Sequence, residues 1–318
     1  MAEPGAPREP VAGTEPLLDH LLQGSSRTFA LTIPLLPEPT RREVTVAYLL
    51  FRVADTIEDS VRWPRPKKLE GLGRLIAFLE DPSDVTSESL ASSWKSDPPL
   101  EHPGYLELLA EFPAVMRVAK SLSPEARGLV TKHTIRTCRA MASFVERESE
   151  GSLRLDDLPD LRAYCYAVAG IVGEMLTELF LLGREALRPL AEPMRKEAAS
   201  FGEALQLVNI LKDRAKDAGE GRRYLPEAIP LPEVFALARR DLEIAAGYSA
   251  RLEDAGADRG IVAFTALPTL LARATLARVE RDGPGSRISR SEVATLMARL
   301  QEALEERSVT TLLGSGVE

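Results

Sequence analysis

Apolar residues recur at three- and four-residue spacing along most of the chain, and no run alternates with the period of a strand. The pattern predicts helices over 15–23, 40–59, 67–80, 106–119, 124–148, 156–182, 194–217, 231–254, 260–281 and 291–307. Gly24 would end the first, and Thr40 with Glu43 has the spacing of a capping box opening the second. Asp156 to Asp160 would cap the sixth, and Pro268 would kink the ninth. The Ser-, Asp- and Pro-rich stretch 81–104 reads as a surface loop with at most one helical turn around 89–94, and 281–290 as a basic loop. No fixed-period repeat appears, so the expectation is an all-α fold in one domain over 16–307. It would lie between a disordered tail at 1–15, rich in Pro, Gly and Glu, and a C-terminal tail at 308–318.

One helix breaks the usual amphipathic rule. In YLLFRVADTIED, residues 48–59, Leu49, Leu50, Phe51, Val53, Ala54 and Ile57 cover most of the surface, so the helix should be buried. At about 100° per residue, Tyr48, Arg52, Asp55, Glu58 and Asp59 share its remaining side. Buried acids this close repel unless something cationic compensates, and divalent metal ions holding an anionic substrate would do so. A second such face lies in NILKDRAKD, where Asn209, Asp213 and Asp217 stand at i, i+4 and i+8 on a helix that also carries Phe201, Ala204, Leu205 and Val208. Either acidic run alone could be a solvated face paired with nearby Arg and Lys. Two of them inside apolar helices favour opposed carboxylates across a cavity, with the hard oxygen donors that suit Mg²⁺ and substrate phosphates.

Bulk composition narrows the partners. The net charge of −8 argues against nucleic acid. Cys138 and Cys165 lack CxxC spacing, so neither a disulfide framework nor a zinc site is expected, and cytoplasmic location is the default. The first 16 residues lack the apolar run of a secretory signal, and no window approaches the length of uninterrupted apolar sequence a membrane span needs. His20, His102 and His133 are isolated, without ligand spacing.

At these residues the chain resembles the squalene/phytoene synthase family. The landmarks appear in family order: SSRTFALTI, YLLFRVADTIED, YCYAVAGIVGEM (164–175) and NILKDRAKDAGEGRRYLP (209–226). AFTALPTLLARATL (263–276) looks closer to the squalene synthase branch. The resemblance implies an isoprenoid synthase fold with a central apolar cavity flanked by two Asp-rich helices. It implies Mg²⁺-dependent head-to-head joining of two prenyl diphosphates, with Asp55, Glu58, Asp59, Asn209, Asp213 and Asp217 toward metal. Ser26, Arg27, Arg52 and Arg222 would serve the diphosphates, and Tyr48 and Tyr164 would face the cavity as catalytic groups beside Asp55 and Asp59. Taken alone, Ser26 could simply cap a helix, Arg27 and Arg222 could be surface residues, and the tyrosines could belong to the core. A carbocation needs a dry pocket, whose walls can come from Phe51, Val168, Ala169, Val172, Leu176, Leu205 and Phe264.

The resemblance is closest to squalene synthase: two farnesyl diphosphates condensing through presqualene diphosphate, with NADPH reduction to squalene. Lys212, Arg287 and Arg290 resemble basic positions linked to NADPH; a solvated basic loop is the alternative. Phytoene or dehydrosqualene formation without reduction is a second reading, and a non-catalytic helical protein holding prenyl diphosphates or lipids a third. One departure stands in the second motif, where the family carries Glu and this chain has Lys216, expected to share the face of Asp213 and Asp217. Mid-helix Gly170 and Gly173 suggest a need for room, for substrate or for close helix packing. A monomer with peripheral membrane contact, suited to a hydrocarbon product, completes the expectation.

Overall fold

The computed structural model describes residues 14–149 and 152–314; of the tail expected at 1–15, residues 1–13 lie outside them, while Thr14 and Glu15 begin a helix. The helices are α1 (Thr14–Ser25), α2 (Phe29–Thr32), α3 (Thr40–Glu58), α4 (Arg65–Glu80), α5 (Asp84–Ser96), α6 (Pro103–Ala110), α7 (Phe112–Ser121) and α8 (Pro124–Glu146). They continue with α9 (Leu158–Cys165), α10 (Ile171–Leu181), α11 (Ala191–Gly219), α12 (Leu231–Asp254), α13 (Arg259–Asp282), α14 (Arg290–Glu306) and α15 (Val309–Gly314). Short 3₁₀ segments at Ile33–Leu35 and Glu185–Leu190 join some of them.

The buried α3 sits where its apolar surface demands. Val46, Ala47, Leu49, Val53, Ala54 and Ile57 are all fully enclosed, and α8, α4, α1 and α10 pack around it. The long α11 lies against α10, α12 and α13. Local chemistry sets many starts: Ser123 accepts from Ala126 N ahead of Pro124, Asp157 accepts from Asp160 N, and Ser289 forms a reciprocal capping box with Glu292. Two helical stretches, Leu158–Leu181 and Arg259–Asp282, are apolar and long enough to cross a membrane by composition. The apolar windows of both are mostly buried inside the bundle, as core helices are.

Several sequence expectations are corrected. Thr40 is inside α3, behind an N-cap at Pro39 with no side-chain cap. Its hydroxyl instead accepts from Arg184 Nη2 at 2.5 Å. Residues 84–96 form a full helix rather than a loop: Ser83 caps it, and Leu90 and Trp94, one turn apart, anchor it in the core. The helix expected over 106–119 is two, broken at Glu111 ahead of Pro113. Residues 309–314 of the expected tail form α15, which packs on α12 with Val309 and Leu313 buried. Two-residue strands, Leu153–Arg154 (β1) and Arg222–Arg223 (β2), pair in parallel; elements this short show no periodicity in sequence.

The helix expected over 156–182 is also interrupted. Tyr166–Gly170 forms a wide π-turn, in which Ile171 N–H donates to the Tyr166 carbonyl five residues back. The extra residue turns everything before it by about 100° relative to everything after.

Candidate active site

The first acidic motif occupies the C-terminal turn of α3. Arg52 Nη1 pairs with Asp55 at 3.2 Å, and its guanidinium lies over the rings of Tyr48 and Tyr105 at 5.6 and 5.2 Å. Tyr48 Oη donates to the Ser25 carbonyl at 2.8 Å and accepts from Arg52 Nε at 3.3 Å. That contact ties the Ser25-Ser26-Arg27 element to α3. Asp59 caps the helix, its N–H donating to the Asp55 carbonyl at 2.7 Å. Arg222, held on β2, donates to the Asp59 carbonyl at 2.8 Å and pairs with its carboxylate at 2.8 Å.

The second motif occupies the C-terminal third of α11. Lys212 donates to Asn209 at 3.1 Å and pairs with Asp213 at 3.2 Å. Asp217 makes no ion pair with any described residue. Lys216 is 70% exposed and pairs with Glu220 at 3.5 Å, while its charge also acts on Asp217, whose face it was expected to share. Here α11 is passing out of the core, which leaves position 216 facing water.

The two motifs face each other electrostatically. Burial pushes the Asp55 carboxyl up to about 6, against the pull of Arg52 and with a push from Asp59. Burial likewise raises Asp217 to about 6, with Asp213 and then Asp59 adding repulsion and Arg222 and Lys216 opposing. Glu58, 6% exposed, is also raised well above its ordinary value, by burial and then by Asp59. Burial works against the charge on Arg222, but Asp59, Tyr224 and Glu58 outweigh it and its pKa rises. Burial together with carboxylate–carboxylate repulsion thus outweighs the cations that reach Asp55, Glu58 and Asp217.

Below this acidic rim is an apolar cavity of about 180 Å³. Phe51, Val168, Ala169, Val172, Leu176, Leu205 and Phe264 all line it, as expected, with Tyr48, Arg52, Asp55 and Asn209 on the acidic side. Gly173 and Gly202 are there because α10 and α11 touch backbone to backbone. A Cβ on either would fall 1.9 Å from the Ala198 carbonyl oxygen or 2.0 Å from that of Ala169.

The family profile of squalene/phytoene synthase matches residues 22–230. The chain belongs to this family. The squalene synthase of Candida albicans is 30% identical over 210 residues, which are 66% of this chain and 45% of that protein. That of Yarrowia lipolytica is 32% identical over 213 residues, 66% of this chain and 45% of the relative. The Botryococcus squalene synthase of Botryococcus braunii is 31% identical over 201 residues, 63% and 39%. The matched region is thus less than half the length of these curated relatives. Among solved structures, the complex of TcSQS with the ligand E5700 superposes with a TM-score of 0.76 at 23% identity, covering 96% of this chain and 93% of that one. Squalene synthase HpnC from Alicyclobacillus acidocaldarius gives 0.52 at 18% identity, covering 86% and 97%. These likenesses establish the isoprenoid synthase fold.

Within this squalene/phytoene synthase fold, some expected site residues stand elsewhere. Tyr164 does not line the cavity. It is 3% exposed, stacks on Tyr224 at 4.6 Å between ring centres and donates to the Tyr224 hydroxyl at 3.1 Å. On an unbroken helix it would share the face of Val168, four residues on. It stands two residues before the π-turn, packed on Tyr224, where burial, then the charge of Glu58 and that of Asp59, raise its pKa. Ser26 Oγ accepts from Phe29 N at 2.9 Å, a local cap, while Arg27 is exposed without an ion pair among the described residues. The basic loop does approach the second motif: Gly285 N–H donates to the Lys212 carbonyl at 2.7 Å, and Arg287 and Arg290 are exposed without carboxylate partners among the described residues.

Sequence reasoning missed Phe29, Ile33, Phe201 and Pro268 as cavity walls and Tyr105 and Tyr224 as aromatic partners. Phe29 and Tyr224 lie inside segments already singled out. Tyr105 lies in a region distant along the chain and carries no local signal.

The donor set fits Mg²⁺. The residues that would hold it offer hard carboxylate oxygens, whose negative charge is costly in this buried setting and would be relieved by a divalent cation. Among the described residues no three His, Cys, Asp or Glu side chains converge on one point. An ion held here would therefore complete its shell with water and phosphate oxygens, as Mg²⁺ ordinarily does.

Proposed function

We propose that this protein joins two farnesyl diphosphates head to head through presqualene diphosphate and, with NADPH, reduces the product to squalene. The observation that carries the reading is the pair of acidic helix ends, on α3 and α11, whose charges meet around Arg222, with Asp55 and Asn209 at the edge of an apolar cavity. Asp55, Glu58, Asp59, Asn209, Asp213 and Asp217 would hold Mg²⁺, which when bound supplies Lewis-acid stabilisation of the departing diphosphate.

The chain's own residues do the rest. Arg52 and Arg222 place fixed positive charge where the diphosphate's charge would develop, and the exposed Arg27 would join them on substrate binding. Breaking the allylic carbon–oxygen bond leaves the electron pair on the diphosphate and a cation on the farnesyl carbon. Phe51, Val168, Val172, Leu205 and Phe264 keep water from that cation. The proton lost on ring closure would pass to an oxygen of the released diphosphate, and Tyr48, its hydroxyl fixed between Ser25 and Arg52 at the boundary of acidic rim and cavity, is placed to orient that transfer. Lys212, Arg287 and Arg290, free of carboxylates other than Asp213, suit the phosphates of NADPH, which would supply hydride. Two buried free thiols accord with action in the cytoplasm, and the greasy product with membrane contact from one face.

The test is incubation with farnesyl or geranylgeranyl diphosphate and Mg²⁺, with and without NADPH. Squalene formed only with NADPH supports the proposal. A forty-carbon product, or the same hydrocarbon without NADPH, rejects it.

A further inference from the structure

The π-turn at Tyr166–Gly170 is held from outside by three side chains that the proposed chemistry does not use. Tyr166 Oη donates to Glu174 Oε1 at 3.0 Å, so the two residues flanking the turn are bound to each other across it. Arg136, on α8, donates through Nη2 to the Tyr166 hydroxyl at 2.8 Å and through Nη1 to Glu174 Oε2 at 2.6 Å. Its Nη1 also lies 3.1 Å from Nδ1 of His133, which is buried. The Tyr166 ring packs where a side chain at 170 would otherwise stand: a Cβ on Gly170 would meet Tyr166 Cδ2 at 2.7 Å.

A π-turn has poorer geometry than the α-helix around it and persists where surrounding contacts hold it. What this one decides is on the other side of the helix. Val168 and Ala169 lie within the turn and line the cavity, and Ala169 carbonyl oxygen is the atom against which Gly202 packs. The turn follows directly on the segment that carries Tyr164, which stacks on Tyr224. Were the turn to relax to a regular helix, that segment would rotate by about 100° relative to the helix after Gly170.

We propose that the Arg136–Tyr166–Glu174 clip is a positioning device that fixes the cavity wall at Val168 and Ala169 and thereby sets the prenyl chain length the site accepts. This rests on the reading of the cavity as a prenyl diphosphate site. None of the three residues lines the cavity; they act through the turn.

The experiment measures binding, without turnover, of the S-thiolo analogues of farnesyl and geranylgeranyl diphosphate with Mg²⁺, by calorimetry. It compares wild type with Glu174→Gln, Tyr166→Phe and the charge-reversed double variant Arg136→Glu/Glu174→Arg. Expected is a change of about tenfold in the ratio of the two dissociation constants for each single variant, the scale of a contact altered in an apolar pocket. The charge reversal should return the ratio toward wild type, because the Tyr166 hydroxyl can then donate to one partner and accept from the other. An unchanged ratio in folded Glu174→Gln and Tyr166→Phe, with only thermal stability lowered, overturns the clip as a selector. So does a folded charge-reversed variant that keeps the single variants' ratio. Wild type that binds neither analogue overturns the functional reading itself and the clip with it, whereas selective binding by wild type with unmoved variants sinks the clip alone.

Discussion

Asp55 and Asp217 carry opposite consequences for stability and for activity. Their carboxyls are raised to about 6 in the fold, chiefly by burial. A carboxyl raised above its unfolded value favours the folded state at low pH, and that contribution is lost as pH rises through the folded value. Metal-free Asp217→Asn should therefore melt higher than wild type at pH 8, with the gap closing toward pH 4, as read by thermal unfolding in a chelator. Turnover should move the other way. Asp55→Ala should lower kcat by at least about a hundredfold, as losing one pre-arranged charge-stabilising group does elsewhere; a variant with undiminished kcat would remove the chemistry from α3. His133 has the reverse sign. Burial, then Arg136, lowers it to about 4, so the stability linked to its neutral form is lost as pH falls from about 6.5 through 4. His133→Asn should flatten that acid limb in urea titrations.

The helices were mostly legible because periodic apolar positions and caps are local. Asp157, Ser123 and the Ser289–Glu292 box all act within four residues of chain. The α5 helix was missed because its Ser- and Asp-rich composition resembles a loop, while Ser83 and the Leu90–Trp94 pair define it. Ser83→Ala should cost about 1 kcal/mol in denaturant unfolding. Gly173 and Gly202 answer whether mid-helix glycine serves substrate or packing. Both face carbonyl oxygens of a neighbouring helix segment at distances no Cβ tolerates. Alanine at either should destabilise by about 1–3 kcal/mol by forcing α10 and α11 apart; a neutral effect would mean that the helices can part freely.

Across the whole molecule, the acidic rim and the cavity are one design: charge is gathered where α3 and α11 end, and water is excluded beneath. Binding of Mg²⁺ with inorganic diphosphate should raise the melting temperature more at pH 8 than at pH 5.5, because at the lower pH protons compete for Asp55 and Asp217. An equal rise at both would place the ligands elsewhere.

The amino-acid sequence alone determined the all-α class, the two acidic faces and most helix limits, since each follows from spacing along one helix; the cavity walls it named came with the family resemblance. Only the tertiary structure decided where Tyr164 and Lys216 point, which aromatic rings flank Arg52 and Tyr164, and how Arg222 bridges to Asp59. Those depend on a single extra residue in one helical turn, on where a helix leaves the core, and on pairings between segments far apart in the chain, none of which leaves a local periodic trace.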